Sequence, residues 1–127
     1  MTATIVLRNP DGRFQPRERV DGSASWSLEH TPAWLEVRLA WHTEGKGSKE
    51  VVVIGFERLR GVSAQDQRTF ALTLPEMPYT YHGRIVSILW SVAVFGPSGR
   101  FWRREQLLAT VPIVVSPTRA PFGERRT

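Results

Sequence analysis

The sequence contains no cysteine, which excludes disulfide staples, thiolate metal sites and a cysteine nucleophile. A reducing compartment suits that composition, and a cytoplasmic protein is the expectation. Long apolar runs are missing too. Nothing approaches the roughly 20 residues that cross a membrane as a helix, and Met1 to Leu7 is too short and mixed for a secretory signal. Lysine is scarce: Lys46 and Lys49 stand against 15 arginines, so the net charge of +5 is almost wholly guanidinium. Arginine grips carboxylates and phosphates through its planar fork, but these arginines are dispersed and interleaved with acids, the pattern of a solvated surface. Helical periodicity longer than a turn or two is absent, as is any internal repeat.

Chemistry-bearing motifs are few. His30, His42 and His82 fall in three different connections, and although His42 with Glu44 offers two ligand atoms, no HExxH-like spacing completes a metal site. Gly45, Lys46, Gly47 and Ser48 fail as a phosphate loop. Ala40 stands where the first glycine of GxxxxGKS belongs, and the segment joins two strands instead of opening a helix. Gly61 to Gln65 lacks the second glycine of a GxSxG elbow. No carboxylate has a context that singles it out as acid or base, and Glu36 with Arg38 reads as an ion pair on an exposed strand face. An enzyme, a metal and a cofactor are not expected.

What the chain does have is strand patterning. A length of 127 residues is one domain, large enough to hide roughly two-thirds of its unfolded surface. The stretch around which the rest is organised runs from Phe70 to Phe95. Phe70, Leu72 and Leu74 alternate with polar residues until Pro75 ends the strand. A corner with Pro78 and Gly83 follows, and Ile85 to Phe95 is a buried strand whose core face carries Val86, Ile88, Trp90, Val92 and Val94.

The other segments agree. Thr2 to Leu7 is a short edge strand closed by the turn Asn9, Pro10, Asp11, Gly12. Ala24, Trp26 and Leu28 share one face of a half-buried strand. Leu35, Val37, Leu39 and Trp41 point inward from the next, with Glu36 and Arg38 outward. Val51 to Phe56 pairs with it across the loop and is apolar on both faces, which predicts a central strand. A polar connection, Gly61 to Gln67, leads into a strand opening with Arg68. The final hairpin turns at Gly96 to Gly99 and returns from Arg100 to Val115, where Pro112 predicts an edge or a bulge because it cannot donate a ladder hydrogen bond. Seven or so strands at near-regular spacing predict an all-β, two-sheet antiparallel sandwich of the immunoglobulin-like type, with a small barrel as the alternative. The sandwich is expected over residues 1–115, and 116–127, with two prolines and three arginines, as a flexible tail.

Two blocks carry a family resemblance. Phe14, Pro16, Val20, Gly22 and Trp26 form the first. Phe70, Leu72, Leu74, Pro75, Pro78, Tyr81, Gly83, Ile88, Trp90 and Val92 form the second and more specific one. In content, order and separation they resemble the arrestin-type β-sandwich family, which includes arrestins and bacterial sporulation-control relatives. Thr80 stands where the family often has serine, and Arg17 where it often has glycine. The resemblance implies an arrestin-like fold and a non-enzymatic adaptor or scaffold for protein partners. Arrestins have two such sandwiches in tandem and this chain has room for one, so no binding residue is carried across. On physical grounds alone Trp90 is a core anchor, and Gly22 and Gly83 mark close backbone approach.

One surface patch is singled out as a binding site: Arg100, Phe101, Trp102, Arg103, Arg104. Alternation puts Phe101 and Trp102 on opposite faces, leaving one aromatic outward beside arginines, a mixture typical of interface hot spots. The binding residues expected are Arg100, Trp102, Arg103 and Arg104, with a protein as the partner. Self-association through edge strands, as a subunit of an assembly, is the alternative. Nucleic-acid binding, resting on net charge and Trp102, is a third class.

Overall fold

The computed structural model describes residues 2–47, 49–98 and 104–117. Among these there is no helix and there are nine strands: β1 (Thr2–Leu7), β2 (Arg13–Phe14), β3 (Arg19–Ser27), β4 (Leu35–Gly45), β5 (Val51–Leu59), β6 (Gln65–Thr73), β7 (Tyr81–His82), β8 (Val86–Pro97) and β9 (Glu105–Val115). Two of them, β2 and β7, are only two residues long, so the expected seven are the long ones. They form a three-stranded sheet, β1-β3-β6, and a larger sheet in the order β2-β9-β8-β4-β5, with β7 on β8. All pairings are antiparallel except that of β2 with β9.

Period-two alternation builds the core between these sheets. Val20, Ala24 and Trp26 from β3 and Phe70 and Leu72 from β6 face Leu35, Val37 and Leu39 from β4, Trp90, Val92 and Val94 from β8, and Ile113 and Val115 from β9. Trp90 is 1% exposed. It sits between Trp41 of β4 and Ile113 of β9, and its Nε1–H donates to the Pro78 carbonyl at 3.0 Å, so the corner before β8 is tied to the core by the indole's one polar atom. At the opposite end of the run expected to face the core, Val86 is exposed.

The two sequence blocks meet in space. β3 and β6 pair with Val20 opposite Leu72 and Gly22 opposite Phe70, and the Arg17 N–H donates to the Pro75 carbonyl. A Cβ on Gly22 would stand 2.2 Å from the Val6 carbonyl oxygen, and one on Gly83 2.4 Å from that of Val86. Only glycine fits at either place. Arg17 has φ +67°, the one described non-glycine residue with positive φ. A left-handed conformation costs an L-residue about 1–2 kcal/mol, and this is the position at which glycine is common in the resembling family. Thr80 is buried and bonded twice to β9: its N–H donates to the Val115 carbonyl, and its Oγ1 accepts from the Val115 N–H at 2.9 Å.

Three expectations are corrected. β5 is an edge strand, bonded among the described residues to β4 alone. Apolar residues on both its faces do not reflect burial, since Val51, Val53, Ile54 and Phe56 are exposed. Glu36 points to the outer face but is buried, covered by the arginines it binds. The strand expected from Arg68 begins at Gln65. Pro112 fits the sequence reading: it is opposite Ser91 of β8, and its carbonyl lies toward Gly12 on the far side, so its missing N–H falls on the outer edge of β9.

Candidate functional site

The residues singled out from the sequence fall between β8 and β9 in the chain. Arg100, Trp102 and Arg103, with Phe101, lie outside the described residues, as do residues 118–127 of the expected tail. Arg104 is described. It is exposed, and its carbonyl accepts from the Ser98 N–H at 2.8 Å, closing the root of the hairpin just before β9 begins.

At the foot of that hairpin the outer face of the large sheet carries a charged and aromatic cluster that sequence reasoning reduced to one ion pair. The register puts Glu36 opposite Phe95 and Arg58, and Arg38 opposite Phe56. Glu36 Oε1 accepts from Arg38 Nε at 2.7 Å, and its Oε2 accepts from Arg58 Nε at 3.0 Å. Arg38 also makes a fork onto Glu105, with 2.9 Å between Nη1 and Oε1 and 2.5 Å between Nη2 and Oε2. The Arg38 guanidinium lies 4.2 Å from the Phe95 ring centroid and that of Arg58 4.3 Å from the Trp34 ring centroid, adding a cation–π contribution. The hydrogen bond from Arg38 holds the Glu105 carboxyl below the usual carboxylate range. The same bond to Glu105, seconded by Glu36, pushes Arg38 further up.

This cluster explains how a carboxylate is buried on a sheet's outer face: both its oxygens are bonded to cations, as burial requires. Among the described residues no buried side-chain polar atom lacks a partner. The acids and bases here are engaged in holding one another.

The open feature of the large sheet is β5. Val51 is 62% exposed, Val53 46% and Phe56 61%. A bulge at Ile54 shifts the register, with Leu39 opposite Gly55 and Ala40 opposite Val53. The other sheet margins are better guarded. The free edge of β6 is occupied where Glu57 Oε1 accepts from the Ala71 N–H. That of β9 carries Pro112 and is covered by β2, and β1 packs against β9.

A shallow groove of about 440 Å³ runs past Arg8, Arg19, Asp21 and Glu57 on the small-sheet side. Arg8 already faces Asp21 at 3.6 Å. His42 Nε2 lies 3.0 Å from Glu44 Oε2, and no group of three or more metal-ligating side chains forms among the described residues. No described helix is long and apolar enough to cross a membrane.

No family model matches the chain, and no curated protein sequence does. Solved structures do match. Spo0M, the sporulation control protein of Bacillus subtilis, superposes with a TM-score of 0.63 at 14% identity over 90% of this chain and 48% of Spo0M. The superoxide reductase (neelaredoxin) of Ignicoccus hospitalis gives a TM-score of 0.49 at 15% identity over 91% of this chain and 81% of that one. The chain thus spans about half the length of Spo0M. With the two sequence blocks brought together across β3 and β6, the sheet order above and this superposition, the chain has an arrestin-like β-sandwich fold.

Proposed function

We propose that this protein is a non-enzymatic adaptor or scaffold module of the cytoplasm that works by contact with other protein chains. The observation that carries the reading is the β5 edge: a nine-residue strand, bonded on one side only, that exposes Val51, Val53 and Phe56. Such an edge offers a row of unpaired N–H and C=O groups beside apolar side chains, which is the chemistry of strand addition. The charged cluster beside it is internally satisfied, which supports a structural role for Glu36, Arg38, Arg58 and Glu105. The 96–104 hairpin, with Arg100, Trp102, Arg103 and Arg104, and the tail at 116–127 are proposed as further contact regions. A control role of the kind for which Spo0M is named is compatible with such a module.

Affinity capture from the source cell with mass spectrometry, comparing wild type with the double variant V53K/F56K, tests the reading. Proteins recovered by wild type and lost by the variant, with the variant's denaturation midpoint unchanged, are the expected result. Identical recovery by both refutes the edge as the contact surface. The bare edge also favours a second reading, a subunit that pairs with its neighbours in an assembly. A nucleic-acid role predicts oligonucleotide affinity that falls steeply with salt, and a flat response removes it.

A further inference from the structure

We propose that β5 pairs antiparallel with β5 of a second copy of this chain, across a two-fold axis passing between Ile54 and Gly55; this rests on the reading of β5 as the contact edge and names its partner. The backbone directions come first. The Thr43 N–H donates to the Glu50 carbonyl, so by alternation the residues of β4 that bond toward β5 are Thr43, Trp41, Leu39 and Val37. Their partners on β5 are Glu50, Val52, Gly55 and Glu57. The residues of β5 that turn N–H and C=O outward are therefore Val51 and Val53 before the bulge and Phe56 and Arg58 after it.

A bulge ordinarily guards an edge, because it breaks the even spacing a partner strand needs. Here it makes the edge complementary to itself. When one β5 is laid antiparallel on another with Val53 opposite Phe56, Val51 falls opposite Arg58, and the two-fold repeats both pairs. All four outward-facing residues of each copy then meet outward-facing residues, and the two bulges meet at the axis. A shift by one residue sets outward groups against inward ones and forms no ladder. A shift by two leaves part of the outward set unpaired.

The side chains fit the same register. Val53 and Phe56 both lie on the outer face, beside Ala40 and Arg38 of β4, so each copy's exposed valine meets the other's exposed phenylalanine, a favourable cross-strand pair. Val52 meets Glu57, and Ile54 meets Gly55. No like charges oppose each other over the eight paired residues, and the contact is isologous, so it closes at two copies instead of running on. The two large sheets become one continuous sheet.

The cysteine-free chain allows a direct test. Residues opposite each other in such a pair are about 5.5 Å apart at Cα, inside the range a disulfide spans. Because of the bulge, Val53 and Phe56 stand opposite Ala40 and Arg38, only two residues apart on β4, so Val53 and its own symmetry copy are offset by about 7 Å along the strand and, with about 5 Å between strands, lie more than about 8 Å apart at Cα, outside that range. The variant V53C/F56C, mildly oxidised, is expected to form a cross-linked dimer on non-reducing gels, while V53C alone and F56C alone stay monomeric on the same gels. Wild type is expected to sediment as a dimer and V53K/F56K as a monomer with native β-sheet circular dichroism. A wild-type monomer at about 1 mM, or cross-linking by V53C alone as efficient as by the pair, overturns the proposal. The two readings fail separately. A monomeric chain whose V53K/F56K variant loses a different captured protein overturns the second copy as occupant and leaves the adaptor reading standing. A dimer with the expected cross-links, whose edge variant recovers the same set of other proteins, does the reverse.

Discussion

Replacing Trp90 by alanine tests the architecture most directly. The indole is 1% exposed and its one polar atom is bonded to the Pro78 carbonyl at 3.0 Å. A buried tryptophan hides about 150–250 Å², which at about 25 cal/mol per Å² corresponds to about 4–6 kcal/mol. Partial collapse of the cavity brings measured losses for such truncations to about 3–5 kcal/mol. The lost hydrogen bond adds about 1 kcal/mol, and more if the Pro78 carbonyl stays dry. Against the total of about 5–15 kcal/mol that holds a domain together, Trp90→Ala is expected to leave a marginally folded protein. With a urea slope of about 2 kcal/mol/M the midpoint should fall by about 2 M at unchanged slope. Trp90→Phe separates the contributions: it keeps most of the apolar area, strands the Pro78 carbonyl, and should cost about 1–3 kcal/mol. A loss under about 1 kcal/mol for the alanine variant would refute the placement of this strand at the seam between the sheets.

Three further outcomes are expected. Arg17→Gly relieves the left-handed strain at φ +67° but gives up an exposed ion pair to Glu76 and loosens the unfolded chain, so stability should change by less than about 1 kcal/mol; Arg17→Val should cost more than about 1 kcal/mol, and equal midpoints for the two variants contradict the account. Glu36→Ala removes the acceptor shared by Arg38 and Arg58; because Arg58 is about one-third exposed the cost should fall near about 2–3 kcal/mol, below that of a fully buried pair, and a neutral effect in chemical denaturation shows that the cluster is ornamental. Glu105 is held down by Arg38, and Asp66 by the Ser63 and Gln67 N–H groups. Both ionise more readily folded than unfolded, so their contribution is complete above the unfolded pKa of about 4 and is lost as pH falls through the lower folded values. Denaturation midpoints should drop from about pH 5 downward, less steeply in Glu105→Gln, and a midpoint that rises on acidification contradicts the sign.

Much of the fold was legible because its signals are local. Alternation identified Ala24, Trp26, Leu35, Val37, Leu39, Phe70 and Leu72 as inward, and each is buried. The glycines at 22 and 83 announced close backbone approach, and the carbonyls of Val6 and Val86 supply it. Less was legible at the candidate site. Glu36 and Arg38 read as a solvated pair because alternation assigns a face and says nothing of what lies across it. Arg58 and Glu105 arrive from strands 22 and 67 residues away from their partners. A signal did exist in the aromatic residues Trp34 and Phe95 flanking those charges, since rings under guanidiniums mark a covered surface.

The amino-acid sequence by itself determined that the chain is all-β, with a sandwich preferred over a small barrel, and identified most of the side chains that lie between the sheets, because side-chain direction along a strand and the exclusion of apolar surface from water act residue by residue. Only the tertiary structure decided where each strand sits in its sheet. β5 is as apolar as a central strand, and it is the hydrogen bonding of β4 to β8 on its other side that leaves β5 at the margin with its backbone open. Strand order is set by pairings between residues far apart in the chain, and a local pattern carries no record of which neighbour a strand will find.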